Sequence, residues 1–434
     1  MGRGWSVLVL LVIAVALGGY AYYDSKQPPP TEKKLEKVFT GVEADKIDQV
    51  TIKPESGERT TAQKQSGDWH LTSPEAAKAD AGELSGITSS LSSLEVQRVV
   101  DDKPSDLKPY GLATPRIVVD FSAGGKKHEL QIGQKTPTGS DLYAKVPDNP
   151  RVFLVSSYLE GTFNRKPFDL RDKSILNVDR DKVDTLDIQT SNRHLTFAKS
   201  GSDWKITSPV SAPADFNAVD GLVGRLNTTQ MKAITAADPK DLKPYGLDEP
   251  DVTVKLAAGS SQAALAIGKT AGDALVYAKD LSRPMVFTID ASLVSDLKKG
   301  ADDFRLKDLF NARAFNTTRV QIVRNGQTTV FEKSGEKWKE TAPAKKDADT
   351  AKVDALVTAL TGTHATSFVA ATKDTGLDEP ELTATLQTDD GKHEEVAFGK
   401  HGSDVFARRD GEAGAAKIDA ATLDGIVKAI EALK

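Results

Sequence analysis

Three times along this chain a run of alternating apolar and polar residues opens the same succession of elements. IDQVTIK (47–53), VDTLDIQT (183–190) and TRVQIVRN (318–325) carry the period of two expected of strands with one buried face. A second strand, a tight turn and a tryptophan follow each run, and Trp69, Trp204 and Trp338 stand 135 and 134 residues apart. The tryptophans open WHLTSP, WKITSP and WKETAP, strands that stop at Pro74, Pro209 and Pro343 because proline lacks the N–H a central ladder needs. Eleven residues past each tryptophan come Asp80, Asp215 and Asp349, placed as helix N-caps. Leu84, Ile87 and Leu91, then Val219, Leu222 and Leu226, then Val353, Leu356 and Leu360 fall on one helical face, so an amphipathic helix is expected after each cap.

Past the helix a distinctive turn recurs: DLKPYGLATP (106–115), DLKPYGLDEP (241–250) and a shorter TGLDEP (375–380). Pro109 and Pro244 fix φ, and Gly111, Gly246 and Gly376 are free to take positive φ, which makes a stiff turn into a strand. IVVDFSA with KKHELQIG, VTVKLAA with AALAIG, and LTATLQT with EEVAFG then read as hairpins. LYAK, LVYAK and VFARR supply another strand, VFLV and VFTI a further one, and IDAATLDGIVKAIEAL a terminal helix. FDLRDKSIL (168–176) and DFRLKDLF (303–310) read as joints between copies, and the third copy has none after it. The expected fold class is α+β: three tandem repeats, 41–177, 178–311 and 312–434, each a mostly antiparallel sheet with one central amphipathic helix. At 434 residues the length agrees with about three domains.

The N-terminus changes the picture of where these domains sit. After Arg3, residues 5–23 (WSVLVLLVIAVALGGYAYY) carry no charge and are nearly long enough, at about 1.5 Å per residue, to cross a hydrocarbon core of about 30 Å. Trp5 at one end and Tyr20, Tyr22 and Tyr23 at the other are placed as interface anchors. Residues 1–26 are therefore expected to form an uncleaved signal anchor, a transmembrane helix preceding the repeats; a cleavable signal peptide is the competing reading. QPPPTEKKLEK begins a Pro-stiffened, charged linker over 27–40. The expectation is a single-pass protein of the inner (cytoplasmic) membrane with its body periplasmic or extracellular.

Composition narrows the chemistry. No cysteine is present, which excludes disulfides, thiol nucleophiles and Cys-ligated zinc. A net charge of −5 with scattered basic residues gives no nucleic-acid footprint. None of the six histidines shows HExxH spacing. His128 and His393 occupy matching places in GKKHELQIG and GKHEEVAFG, but the second copy has no histidine there, and both read as solvent-facing strand residues. GKT at 268–270 fails as a phosphate loop, since Ala263 stands where that motif needs glycine. Asp80, Asp215 and Asp349 could form an acid triplet, but capping accounts for all three. Trp69, Trp204 and Trp338 read as core anchors. Tyr110 and Tyr245, beside Pro and Gly on their turns, are the candidate partner-binding residues. No catalytic, cofactor-binding or metal-binding residue is expected.

The DLKPYGLxxP turn, the W-x-x-T-x-P strand end, the Asp-capped helix and the FRxKxL-like joint together resemble the bacterial domain-of-unknown-function 4340 family, over nearly the whole chain after residue 40. The third copy departs from that pattern, with Thr375 in the tyrosine position and no Lys-Pro before it. The resemblance implies a membrane-anchored extracytoplasmic protein associated with ABC-type transporters like the gliding-motility system, and it carries over no catalytic residue. The leading expectation is thus a non-enzymatic scaffold or accessory subunit of an ABC-type permease complex, held to the inner membrane through residues 5–23. The alternative is a cell-wall glycan or polysaccharide binder using Tyr110 and Tyr245, and a hydrolase is the remote third.

Overall fold

The computed structural model describes residue 19, residues 35–370 and residues 374–434. The expected span at 5–23 lies outside the described residues apart from Gly19. Among the described residues no helix is long and apolar enough to cross a membrane.

The described residues fall into two compact units, divided between Asp172 and Lys173. In the first, nine strands form one sheet: β1 (Ile47–Lys53), β2 (Thr60–Gln65), β3 (Asp68–Ser73), β4 (Ala77–Lys78), β5 (Arg98–Asp101), β6 (Ile117–Ala123), β7 (Lys126–Lys135), β8 (Asp141–Lys145) and β9 (Val152–Ser156). Their order across the sheet is β4-β3-β2-β1-β6-β7-β8-β9-β5, antiparallel throughout. Helix α1 (Ala81–Ser92) joins β4 to β5, which are the two outer edges. Eight spacings of about 4.8 Å put those edges about 38 Å apart along the sheet, whereas twelve helical residues cover only about 18 Å. The sheet therefore curls over the helix. Consistent with this, Leu84, Ile87 and Leu91 share one core with Leu71, Val50, Ile117, Leu130 and Phe153, which come from strands across the whole sheet.

The second unit contains two more nine-stranded sheets with the same order. One starts at Thr185–Thr190 and encloses α2 (Phe216–Thr228); the other starts at Thr317–Arg324 and encloses α3 (Thr350–Thr361). A further helix, α4 (Ala420–Glu431), packs Leu423 and Ile426 into the third core. Each expected domain, 41–177, 178–311 and 312–434, thus holds one sheet, but the second and third sheets lie in a single compact unit.

The expected joints are extended segments that pair on both sides in turn. In 303–310, the Asp215 N–H donates to the Phe304 carbonyl (2.7 Å) and the Leu306 N–H to Pro213 (3.0 Å), along the segment before α2. The same run then pairs with the segment after α3, through Leu309 N–H to Thr363 O (3.0 Å) and Ala365 N–H to Lys307 O (2.8 Å). Within the first unit, Asp80 N–H donates to Leu170 O (2.8 Å) and Asp172 N–H to Lys78 O (2.9 Å). Within the second, Met231 N–H donates to Lys173 O (2.8 Å).

The expected linker, 27–40, needs a correction at its end. Glu36–Lys37 forms a two-stranded ladder with Glu95–Val96, and Phe39 is buried with its ring edge-on to Phe121 at 5.0 Å. The charges of EKKLEK suggested a solvated spacer, but a short ladder needs only backbone groups, so charged side chains do not forbid it.

Candidate functional site

The Tyr-Gly-Leu turn is built from its glycine outward. Lys108–Tyr110 and Lys243–Tyr245 form single 3-10 turns, closed by Gly111 at φ 66° and Gly246 at φ 65°; Gly376 takes φ 71°. The next residue, Leu112, Leu247 or Leu377, is buried. Each turn lies against a second glycine in the strand after next. A Cβ on Gly133 would collide with the Tyr110 carbonyl oxygen and come within 3.1 Å of the Gly111 carbonyl carbon. On Gly268 it would collide with the Tyr245 oxygen and sit 2.8 Å from Gly246 O, and on Gly399 it would lie 2.6 Å from Gly376 O and 2.7 Å from Thr375 O. This backbone-on-backbone seat explains the glycine of GKT at 268–270 without any phosphate. The sequence reading did not pair these glycines with the turn, although QIG, AIG and AFG recur where the contact needs them.

The two candidate tyrosines are half-buried and spend part of their surface on a second tyrosine. Tyr110 meets Tyr143 at 5.2 Å and 61°, and Tyr245 meets Tyr277 at 5.2 Å and 72°. The Tyr110 hydroxyl donates to Asp101 Oδ2 at 3.3 Å. Burial first, and then the Asp101 carboxylate, hold its phenol above the ordinary value. In the third sheet Thr375 is buried where the others have tyrosine, and Phe406 fills the place of Tyr143 and Tyr277.

The remaining sequence candidates sit in the frame. Trp69, Trp204 and Trp338 are buried, each beneath the lysine opposite it on the neighbouring strand: Lys64 at 5.3 Å, Lys199 at 5.6 Å and Lys333 at 5.6 Å from the ring centre. The Trp338 indole N–H donates to Asp354 at 2.8 Å, whereas Trp204 Nε1 has no partner and Asp220, equally spaced along α2, pairs with Arg180 at 2.7 Å. Asp80 accepts from Glu83 N at 3.1 Å, Asp215 from Ala218 N at 2.8 Å, and Asp349 from Ala351 N at 3.1 Å and Lys352 N at 3.3 Å. Pro74, Pro209 and Pro343 each follow a cis peptide bond.

His128 and His393 are one register position out of step, which corrects their alignment. His128 stands opposite Phe121, whereas Phe121's counterpart Leu386 faces Glu394. Glu394 uses one carboxylate oxygen to accept from Asn311 N (2.8 Å) and Ala312 N (2.9 Å), fastening the end of the joint. Among the described residues no group of His, Asp and Glu is arranged to hold a metal ion.

A groove of about 760 Å³ lies on the first unit, between Val38–Thr40 and the polar face of β1, β2, β6 and β7. Its floor is His128 stacked on Phe121 at 4.9 Å, and its walls carry Arg59, Lys127, Asp120, Glu129 and Asp148. Burial, followed by Glu129 directly across the ladder, raises the Asp120 carboxyl above its usual range, against the pull of Arg59 at 4.0 Å. An open groove of mixed sign suits a polar protein surface better than a small apolar ligand.

In the second unit arginines clamp the joints. Arg409 donates to Leu309 O (3.0 Å), Leu306 O (3.1 Å) and Asp308 O, and pairs with Glu412 at 2.9 Å. Arg305, from the joint itself, is buried, pairs with Glu412 and lies 3.7 Å over the Phe368 ring. At the places of Arg409 and Glu412, counted from Ala407 and its counterpart Ala278, the second sheet has Asp280 and Arg283, paired at 2.8 Å. Arg283 donates to Ser174 O at 2.7 Å. The same two positions thus carry opposite charges in successive sheets, and both present an arginine to a joint carbonyl.

Residues 69–203 and 204–380 match the family model described as domain of unknown function (DUF4340). The chain belongs to the DUF4340 family. Both matched segments of this DUF4340 chain begin on a tryptophan, so the family match opens at the third strand of the first sheet and of the second rather than between sheets. No curated protein matches the chain. It is similar to the solved DNA polymerase III subunit beta from Pseudomonas aeruginosa at 10% identity, covering 87% of this chain and 93% of that one, with a TM-score of 0.17. The sliding clamp (DNA polymerase III subunit beta) of the same organism bound to griselimycin matches at 9% identity, covering 89% and 94%, with a TM-score of 0.15. At these scores the likeness carries no argument about the fold or the function of the DUF4340 chain.

Proposed function

We propose that this protein is a non-enzymatic, membrane-anchored scaffold or accessory subunit of an ABC-type transport complex, with its sheets outside the cytoplasm. The observation that supports this reading is what the recurring residues do. The tryptophans are buried, the aspartates cap helices, and the turn glycines seat on strand glycines. What the chain repeats is architecture, and surfaces such as the groove at Asp120 and Glu129 are left for a partner. The apolar run at 5–23 and the family resemblance supply the membrane side of the proposal. The glycan alternative loses weight, because Tyr110 and Tyr245 are each engaged with a second tyrosine.

Affinity capture of the full chain from detergent-solubilised membranes tests the reading. Recovery of permease subunits, lost when residues 1–26 are replaced by a cleaved signal, is the expected result. Quantitative recovery of the chain with no membrane protein, or fractionation of the chain with soluble protein, refutes it.

A further inference from the structure

The second and third sheets treat one buried indole in opposite ways. Trp204 and Trp338 hold the same place in the strands Asp203–Ser208 and Lys337–Ala342, and each is followed 16 residues later by an aspartate of the enclosed helix, Asp220 in α2 and Asp354 in α3. In the third sheet the Trp338 indole N–H donates to Asp354 Oδ1 at 2.8 Å. In the second, Asp220 Oδ2 instead accepts from the Arg180 guanidinium at 2.7 Å, and Trp204 Nε1 is buried without a hydrogen-bond partner.

Two residues account for the difference. Arg180 lies in the 3-10 turn Arg180–Lys182 ahead of the second sheet's first strand; counted back from Leu186 and its counterpart Val320, the third copy has Ala314 there. Gly224 stands one helical turn past Asp220. A Cβ on it would lie 3.2 Å from the guanidinium carbon of Arg180, 3.3 Å from Nη2 and 3.4 Å from Nε, so the missing side chain gives Arg180 a seat across α2. The third copy has Thr358 at that place.

We propose that Asp220 is a two-position latch. With Arg180 seated across α2 the carboxylate holds the arginine; when Arg180 lifts away, the carboxylate turns to accept from Trp204 Nε1, as Asp354 does from Trp338. A buried N–H left unpaired carries a standing cost, whereas an ion pair whose side chains are 43% and 28% exposed is weak and is screened by salt. The two positions are therefore close in free energy, and a rise in ionic strength shifts the population from the first to the second. The turn at Arg180 becomes a salt-released strap over α2, and the buried tryptophan registers whether it is closed.

The chain has four tryptophans, so the full-length protein labelled with [15N]tryptophan in detergent gives four indole signals, assigned by Trp→Phe changes. Arg180→Ala is expected to move the Trp204 signal downfield toward that of Trp338 and to slow its hydrogen exchange at least about tenfold, while the Trp69 and Trp338 signals stay in place and report an intact frame. The double variant Arg180→Ala/Asp220→Ala should return exchange to the parental rate. In the parent, raising sodium chloride from about 0.01 M to about 1 M shortens the screening length from about 30 Å to about 3 Å and should move the Trp204 signal the same way. The proposal is overturned by a Trp204 signal that is the same in the parent and in Arg180→Ala, by slowed exchange that survives the loss of Asp220, or by a parental signal that salt leaves where it was.

Discussion

The seat of the turn on its strand glycine makes one substitution with two opposite outcomes. Gly268 and Gly221 belong to the second sheet and its helix, and both are changed to alanine. At Gly268 the new methyl overlaps the Tyr245 carbonyl oxygen and stands 2.8 Å from Gly246 O and 2.9 Å from Gly246 C, all backbone atoms of a turn fixed by Pro244 and by a positive φ. Neither partner can rotate away, so the cost belongs at the upper end of overpacking, about 3 kcal/mol. Gly221 lies inside α2, exposed, with nothing within 4 Å of the added atom. There alanine removes backbone freedom from the unfolded chain and gains about 1 kcal/mol. For a unit of this size the midpoints should move by about 6–12 °C down and about 2–4 °C up. Urea and thermal unfolding of the full chain, followed by hydrogen exchange of the second unit, measure both. A Gly268→Ala protein as stable as the parent, or two shifts of the same sign, would refute the reading of the motif as a backbone contact.

Three further outcomes follow from the geometry. Asp215→Ala removes the cap on Ala218 N–H and should cost about 1 kcal/mol in urea unfolding, with Asp215→Asn recovering most of it. Arg409→Ala strips three joint carbonyls of their donor and leaves Glu412 with less positive charge beside it; it should destabilise the second unit by about 3 kcal/mol and bring protease cleavage into 303–312. Glu160 is held below its usual range by Lys135 and then Arg116. Its stabilisation is complete above the unfolded carboxylate value of about 4.3 and is lost as pH falls through its own lower value. Glu160→Gln should therefore flatten the acid limb of stability in the first unit, read by amide exchange over residues 35–172, and an unchanged limb would remove Glu160 from that account.

Legibility divided along the range of the interactions involved. Helices were readable because a cap and a stripe are local: Asp349 and Val353, Leu356 and Leu360 lie within one stretch of chain and owe nothing to distant partners. Hairpins were readable for the same reason. The closing of each sheet was not, since β5 is four residues with every second one exposed, and only the return across α1 brings it beside β9. Gly133, Gly268 and Gly399 recur in plain view, but nothing in a one-dimensional pattern says that their missing Cβ makes room for a turn over twenty residues earlier. The register of His128 against His393 slipped by one because a lysine-rich hairpin end offers no apolar alternation to count from. As for function, the turn motif is the most conspicuous signal in the chain, and its glycine and leucine serve to seat the turn on a neighbouring strand.

The reversed charges of Asp280–Arg283 and Arg409–Glu412 bear on how such a molecule assembles as it is synthesised. Neighbouring sheets of one design are prone to swapping strands, because each offers the other's segments nearly the right groove. An arginine that approaches from the opposite end of the pair makes the two grooves unlike, so a stray segment meets a carboxylate where it needs a donor. Two residues in each of the second and third sheets thus act as an address, keeping modules of one topology in their own order along the chain.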